Sequence, residues 1–437
     1  MVRKRTKLNT KILQIDSLYF YLFLLSSTIL RIIYSIQFMD PMSGPDASTY
    51  YSVFRTYSEK GWFAEHEAVP FWQPGYPWFL TLLNVLTFFS GLESMMVAQT
   101  CILSIGTLVV YKIMRIFASK NAELIGIFLC LNPALFAAST QLMYETTQIS
   151  LVMISLMCML KLMQSTNRNQ LFRFLFWLGL YISAFFAITI QPKILLIYVI
   201  LIVFSKPTAW SLAKTIPFAF PILLPLFLLQ IRNLVTGFGW GISSNFRTHM
   251  LIGNQQVINQ NSTCSLSSKD SVGELFCLLK ERFMDPVKGI EIMLHNSFDF
   301  FAPYIGPLGM GGFNGTGTWF HGFDFRRLLP AELRNESTFK LLDSTTSRLW
   351  MLALVGSIVL GFSISQKNSE SKRFGLAFFA STIATFMPTI FGVGDARYRI
   401  GAMFFYTPLC IISLSYTFTH IINAVPKLRS RHVQKLN

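Results

Sequence analysis

Residues 17–38 read SLYFYLFLLSSTILRIIYSIQF, an apolar run whose one charge is Arg31. At a helical rise of about 1.5 Å per residue it is long enough to cross a hydrocarbon core of about 30 Å. A basic stretch with Arg3, Lys4, Arg5, Lys7 and Lys11 precedes it, and no small-residue cleavage site follows. That combination reads as a retained first transmembrane helix. Comparable runs recur at about 74–90, 95–117, 123–140, 141–163, 171–190, 192–205, 214–231, 347–364, 374–392 and 400–420.

Composition points the same way. Of 437 residues, 52% are hydrophobic and 13% charged, about half the roughly 25% charged share of soluble domains. With 42 Phe and a mean hydropathy of +0.47, there is more apolar surface than one water-soluble core can hide. The net charge of +16 does not suggest a nucleic-acid partner, because the basic residues fall mostly in short clusters between apolar runs. Such clusters are what the positive-inside bias produces. The expected fold is an all-α polytopic membrane protein with about ten or eleven transmembrane helices, an amphipathic first external loop and one large external loop.

Sidedness follows from the clusters. Lys112/Arg115/Lys120, Lys161/Arg168/Arg173, Lys206/Lys214, Lys367/Lys372/Arg373 and Lys427/Arg429/Arg431/Lys435 are expected to be cytoplasmic, together with the N-terminus. Segment 39–73 sets Asp40, Asp46, Glu59, Glu65 and Glu67 against Arg55 and Lys60, and is expected outside. Both assignments hold only if 74–117 crosses an odd number of times. It contains two apolar runs, so one of them is re-entrant or interfacial. The same parity places 232–346 outside. Three parts result: a transmembrane module 1–231 carrying the first external loop, the large loop 232–346, and C-terminal helices 347–437 with a basic cytoplasmic tail.

Within the first loop, Ala47–Lys60 carries Tyr50, Val53, Phe54 and Tyr57 at three- and four-residue spacing. This is the pattern of an amphipathic helix suited to the membrane surface. Asp46 stands just before it, in Gly44-Pro45-Asp46-Ala47-Ser48. The position suits a helix N-cap and equally a carboxylate held at the membrane boundary as a general base. Lys193 follows Gln191-Pro192 at an outward turn, Arg232 begins the large loop, and Arg397 and Arg399 lie in GVGDARYR before the last apolar run. All four are cations on the side where the positive-inside bias disfavours them, which suits an anionic lipid phosphate. Interfacial snorkelling is the plainer reading of each taken singly. Trp62, Phe63, Phe71 and Trp72 fit an interfacial aromatic belt. His66 and Glu67 are candidates for substrate binding, with Tyr50, Glu145 and Tyr398 beside them.

Cys101, Cys130, Cys158 and Cys410 lie within apolar runs, whereas Cys264 and Cys277 share a hydrophilic stretch and can pair if it faces an oxidising compartment. No Cys/His spacing suggests a zinc site.

Several pieces, in order, resemble the GT-C superfamily of polytopic glycosyltransferases, in the bacterial branch related to protein O-mannosyltransferases and lipid A aminoarabinose transferases. They are GPDASTYYSVFRTYSEKGWF, PFWQPGYPWFLTLL, LMYETTQISLVM, RNLVTGFGWGISSNFRTHMLIGN and DARYRIGAMFFYTP. Two departures stand out. Asp46-Ala47 occupies the place where many relatives carry two adjacent acids, and Gln191-Pro192-Lys193 that of an Arg-Pro pair. The resemblance implies transfer of a sugar from a polyprenyl-phosphate donor to a glycan, lipid or protein acceptor. The active site would face the periplasm or exterior of a bacterial inner membrane, and a divalent cation is an allowed cofactor. Asp46 would act as base, while Lys193, Arg232, Arg397 and Arg399 would hold the phosphate. The chemistry is consistent: a phosphate-linked sugar leaves as a stable anion, so the second carboxylate of a glycosidase is dispensable. An O-antigen-type polymerase or ligase, or a flippase for lipid-linked sugars, is the alternative. A flippase is expected to show internal repeats, and none is evident.

Overall fold

The first apolar run belongs to a helix, α1 (Val2–Gln37), and its two faces are inverted relative to a helix of a soluble protein. Leu18, Leu22, Leu25, Ile29, Ile33 and Ile36 are exposed, while Ser27, Arg31 and Ser35 are buried at four-residue spacing beside Phe20. Apolar side chains outside and polar ones inside is the arrangement that lipid demands. The structure is a computed structural model that describes residues 2–37, 42, 46–69, 72–86, 91–164, 170–205, 216–237, 271–301, 336–366, 369–391 and 400–436.

Among these residues the chain is all-helical. The helices after α1 are α2 (Ala47–Lys60), α3 (Gly75–Leu86), α4 (Leu92–Phe117), α5 (Ala122–Leu131), α6 (Pro133–Ser139), α7 (Tyr144–Gln164), α8 (Gln170–Ile190), α9 (Leu195–Ser205) and α10 (Ile216–Val235). In the second half they are α11 (Ser271–Phe283), α12 (Pro286–Phe301), α13 (Glu336–Ser365), α14 (Ser369–Phe391) and α15 (Met403–Leu436). Among the described residues six helices are long and apolar enough to cross a membrane, within α1, α4, α7, α8, α10 and residues 400–421.

The two runs inside 74–117 fold differently from one another. α4 has 26 residues and full spanning length, whereas α3 has only 12. At about 1.5 Å per residue α3 covers some 18 Å and cannot cross alone. The run at 123–140 is split at Asn132-Pro133 into α5 and α6, because proline lacks the donor that would continue the ladder. Asn132 Oδ1 accepts from the backbone N–H of Ala134 and Leu135 at 3.0 and 3.1 Å, restarting the chain as α6. On the other side of the break, the α5 carbonyls of Leu129 and Cys130 accept from Arg31 Nη2 at 3.4 and 2.8 Å. The buried guanidinium thus meets the negative end of a helix.

α7 is the centre of the bundle, with α4 and α8 packed along it. Small hydroxyls join helices where lipid offers no partner. Ser155 Oγ lies 2.7 Å from Ser183 Oγ and 2.8 Å from Tyr198 Oη, linking α7, α8 and α9. Thr28 Oγ1 and Ser104 Oγ, 2.6 Å apart, link α1 and α4.

α2 has the expected bounds, and Tyr50, Val53, Phe54 and Tyr57 are buried as one stripe. Its cover is protein rather than the expected lipid surface. α3 packs against α2, with Tyr76 and Trp78 of α3 reaching Tyr50 and Tyr57. The aromatics read as an interfacial belt divide accordingly. Trp62 stacks on Trp78 and Trp72 sits edge-on to Tyr50, while Phe71 lies outside the described residues.

Candidate functional site

Asp46 occupies the N-cap position of α2, where its backbone carbonyl accepts from Tyr50 N–H at 3.0 Å. Its side chain makes no capping hydrogen bond, so the helix start does not engage the carboxylate in the way that the capping reading requires. One turn on, the Tyr50 ring touches Tyr76, Trp72 and Tyr144 at centroid separations of 5.1, 5.4 and 5.9 Å. These contacts seat the first loop on the start of α7. Tyr144 is followed directly by Glu145, which is buried.

On the α7 side of this aromatic cluster a narrow cleft of ≈ 20 Å³ is lined by Tyr144, Glu145, Gln148, Lys193, Thr385 and Gly401. Lys193 stands in a short 3-10 turn, Pro192–Ile194, between α8 and α9. The turn is fixed from α7: Gln148 Nε2 donates to the carbonyls of Ala187 and Gln191 at 2.9 and 3.3 Å. Gly75 at the start of α3 meets it from another side, where a Cβ would overlap the backbone of Thr189 and Ile190. The cleft thus unites Glu145 and Lys193, placed far apart in sequence, with elements from both halves of the chain.

A second cleft, wide and open at ≈ 440 Å³, is lined by Ser48, Thr49, Ser52, His66, Glu67 and Trp72. Here the His66 ring is oriented by two bonds. Its Nδ1 accepts from Ala68 N–H at 3.1 Å, which leaves Nε2 as the protonated nitrogen of the neutral ring, 3.1 Å from Ser52 Oγ. Hydroxyls, an imidazole, a carboxylate and an indole share one polar surface.

No family model and no curated protein sequence matches the chain.

Arg232 lies elsewhere. It is fully buried near the end of α10, where Nη2 donates to Tyr57 Oη at 3.1 Å and to Ala64 O at 3.4 Å, and Nη1 to Asn233 Oδ1 at 3.2 Å. It is not among the lining residues of either cleft. Burial pushes the Tyr57 phenol above its ordinary range, and the neighbouring Arg232 charge pulls it part of the way back. Arg397, Tyr398 and Arg399 lie outside the described residues, although Gly401, just beyond them, lines the narrow cleft.

Residues that sequence reasoning passed over are Gln148, Thr385, Ser52 and the pair Tyr76–Gln99. The Tyr76 hydroxyl donates to Gln99, whose amide in turn donates to the carbonyls of Gln141 at 2.8 Å and Ala138 at 3.2 Å. A lone Gln within an apolar run was the available signal, since an amide in lipid must find partners inside the protein. Among the described residues no group of three His, Cys, Asp or Glu is placed to hold a metal ion. The narrow cleft offers Glu145 beside the competing cation Lys193, a poor fit to the all-oxygen shell of a divalent ion.

Proposed function

We propose that this multi-pass protein is a glycosyltransferase that moves a sugar from a polyprenyl-phosphate carrier to an acceptor hydroxyl, on the membrane face of the first loop. The observation that carries the reading is the Tyr50–Tyr144 contact. It joins the first-loop helix, with Asp46 at its start, to the cleft holding Glu145 and Lys193.

In this reading Asp46 takes the proton of the acceptor O–H, and the oxygen attacks the anomeric carbon. The carbon–oxygen bond to phosphate breaks with its electron pair passing to the leaving phosphate. Lys193 offsets that growing charge from the narrow cleft, and Arg397 and Arg399, in the segment that leads to Gly401, join it. In-line attack inverts the anomeric centre. The open cleft, with Ser48, Ser52, His66, Glu67 and Trp72, suits a hydroxyl-bearing acceptor: polar groups bond to hydroxyls while the indole covers an apolar ring face.

The test compares glycolipid and glycoprotein profiles of membranes from cells expressing the wild-type chain, Asp46→Asn, or neither. The expected result is a glycan species that needs the wild-type chain and disappears in Asp46→Asn at unchanged protein level. A normal profile in that variant removes Asp46 from the reaction. One observation favours a second reading, transport of lipid-linked sugars: the interrupted pair α5–α6, since broken helices line substrate paths in carriers. Movement of a labelled lipid-linked sugar across proteoliposomes without glycan transfer would select it.

A further inference from the structure

The segment between α10 and α13 contains a helical hairpin, α11–α12, that the transferase reading does not use. Its turn is well defined. Asp285 Oδ1 accepts from the N–H of Val287 and Lys288 at 3.0 and 3.3 Å, and Pro286 opens α12 at the position where a missing donor costs nothing. The inner face is equally definite. Leu278, Arg282 and Ile292 are buried, and a Cβ on Gly289 would come within 2.8 Å of the Arg282 carbonyl, so the two helices close tightly at that point.

The outer face is mainly apolar, with Asp285 at the turn and Glu291 on α12 also exposed. Phe276, Phe283, Met284, Val287, Ile290 and Leu294 are exposed, with Met284 at 77%, Val287 at 75% and Phe276 at 69%. Phe276 and Phe283 are seven residues apart on α11, and Val287, Ile290 and Leu294 follow three- and four-residue steps on α12, so each helix presents one stripe. Phe283, Met284 and Val287 flank the turn. A patch of this kind facing water is costly, and a protein keeps one only to contact something apolar.

Four observations point to what covers it. α12 packs on α14 and α13, so the hairpin is fastened to the membrane bundle itself. α14 exposes Ile383 and Met387, apolar side chains as are those that α1 exposes. Lys280 and Lys288 are exposed on the two helices; they can rise to lipid phosphates while their stems lie along apolar surface. The Arg232–Tyr57 bond places the end of α10, from which this segment departs, at the same face as the first loop.

We propose that the α11–α12 hairpin is a membrane-seating element whose apolar edge inserts among the acyl chains of the leaflet on the Asp46 side. Its partner is the lipid itself, at the depth of about 5–10 Å reached by interfacial helices. The inference is independent of the transferase reading, because it uses none of the residues of either cleft.

The full-length protein, carrying Met284→Cys or Val287→Cys labelled with an environment-sensitive fluorophore, is placed in nanodiscs of phosphatidylcholine and phosphatidylglycerol. Glu59→Cys, at an exposed position on α2, is the aqueous control, and the unsubstituted chain is labelled in parallel as the blank. With acyl chains brominated near the headgroup, emission at 284 and 287 is expected to fall by about half while that at 59 stays unchanged, as insertion to interfacial depth requires. Quenching by aqueous iodide at 284 and 287 equal to that at 59 would overturn the proposal. Protection from both quenchers would overturn it as well, by showing that a protein surface covers the hairpin.

Discussion

Arg232 Nη2 donates to Tyr57 Oη at 3.1 Å across 175 positions of sequence. The bond fastens the first-loop helix to the end of α10, and the same nitrogen also reaches the Ala64 carbonyl beyond that helix. A cation read from sequence as a phosphate ligand is therefore engaged in holding the loop that carries Asp46. Neither partner substitutes easily, because a buried guanidinium that loses its acceptors keeps the full cost of desolvation.

Arg232→Met is expected to lower stability by about 2–3 kcal/mol and Tyr57→Phe by about 1 kcal/mol. The double variant should cost less than the two together, since the losses share one bond. Thermal unfolding in detergent, with limited proteolysis across 39–73, measures both. Strict additivity would show that the pair is not coupled.

The same tyrosine gives a pH dependence. Burial raises the folded-state phenol above its unfolded value, so this contribution is complete below about pH 10 and lost as the pH climbs through the folded value. Unfolding at about pH 8 and about pH 11 should therefore show a steeper alkaline loss in the wild type than in Tyr57→Phe. Equal slopes would mean that the phenol titrates normally.

If Lys193 steadies a leaving phosphate, Lys193→Met should reduce turnover by about 10²–10³-fold, with a smaller loss in Lys193→Arg. The contrast is read with a lipid-linked donor at saturating acceptor. An equal defect in both variants would point to packing rather than charge. Glu145→Gln, in the same cleft, should change the donor KM more than the acceptor KM.

Positioning of Lys193 can be tested without touching it. Gln148→Leu removes the donor that holds the Ala187 and Gln191 carbonyls, and Gly75→Ala inserts a methyl into the Thr189–Ile190 backbone. Each is expected to cost about 1–3 kcal/mol and to lower activity along with stability. A Gly75→Ala protein that melts like the wild type would show that the contact is slack.

Much of the architecture was readable because lipid leaves the chain few options. Apolar length marked the helices, although among the described residues six, not the ten or eleven expected, are long and apolar enough to cross; the three- and four-residue spacing of Tyr50, Val53, Phe54 and Tyr57 marked α2 with its observed bounds. That spacing could not say what covers the stripe, because an apolar face seals equally against α3 or against lipid. The candidate site was legible one residue at a time. Asp46 and Lys193 stood out as ionisable groups at helix ends and Glu145 as one within an apolar run, yet the sharing of one cleft by Glu145 and Lys193 depends on how α7, α8, α9 and α14 pack. Gln148 and Thr385 were invisible for a related reason: a polar side chain in an apolar run signals an internal partner without naming it.

The bond between Arg31 and the Cys130 carbonyl bears on how the chain enters the bilayer. When α1 leaves the ribosome its charge has no counterpart, and the carbonyls that will receive it are made only after about a hundred further residues have been translated. The opening segment should therefore linger beside the insertion machinery until the Asn132-Pro133 break arrives, and an Arg31→Leu chain should move into lipid sooner. Crosslinking of stalled nascent chains would time the two departures. A single guanidinium would then act as a latch on the order of biogenesis as well as a bond in the finished bundle.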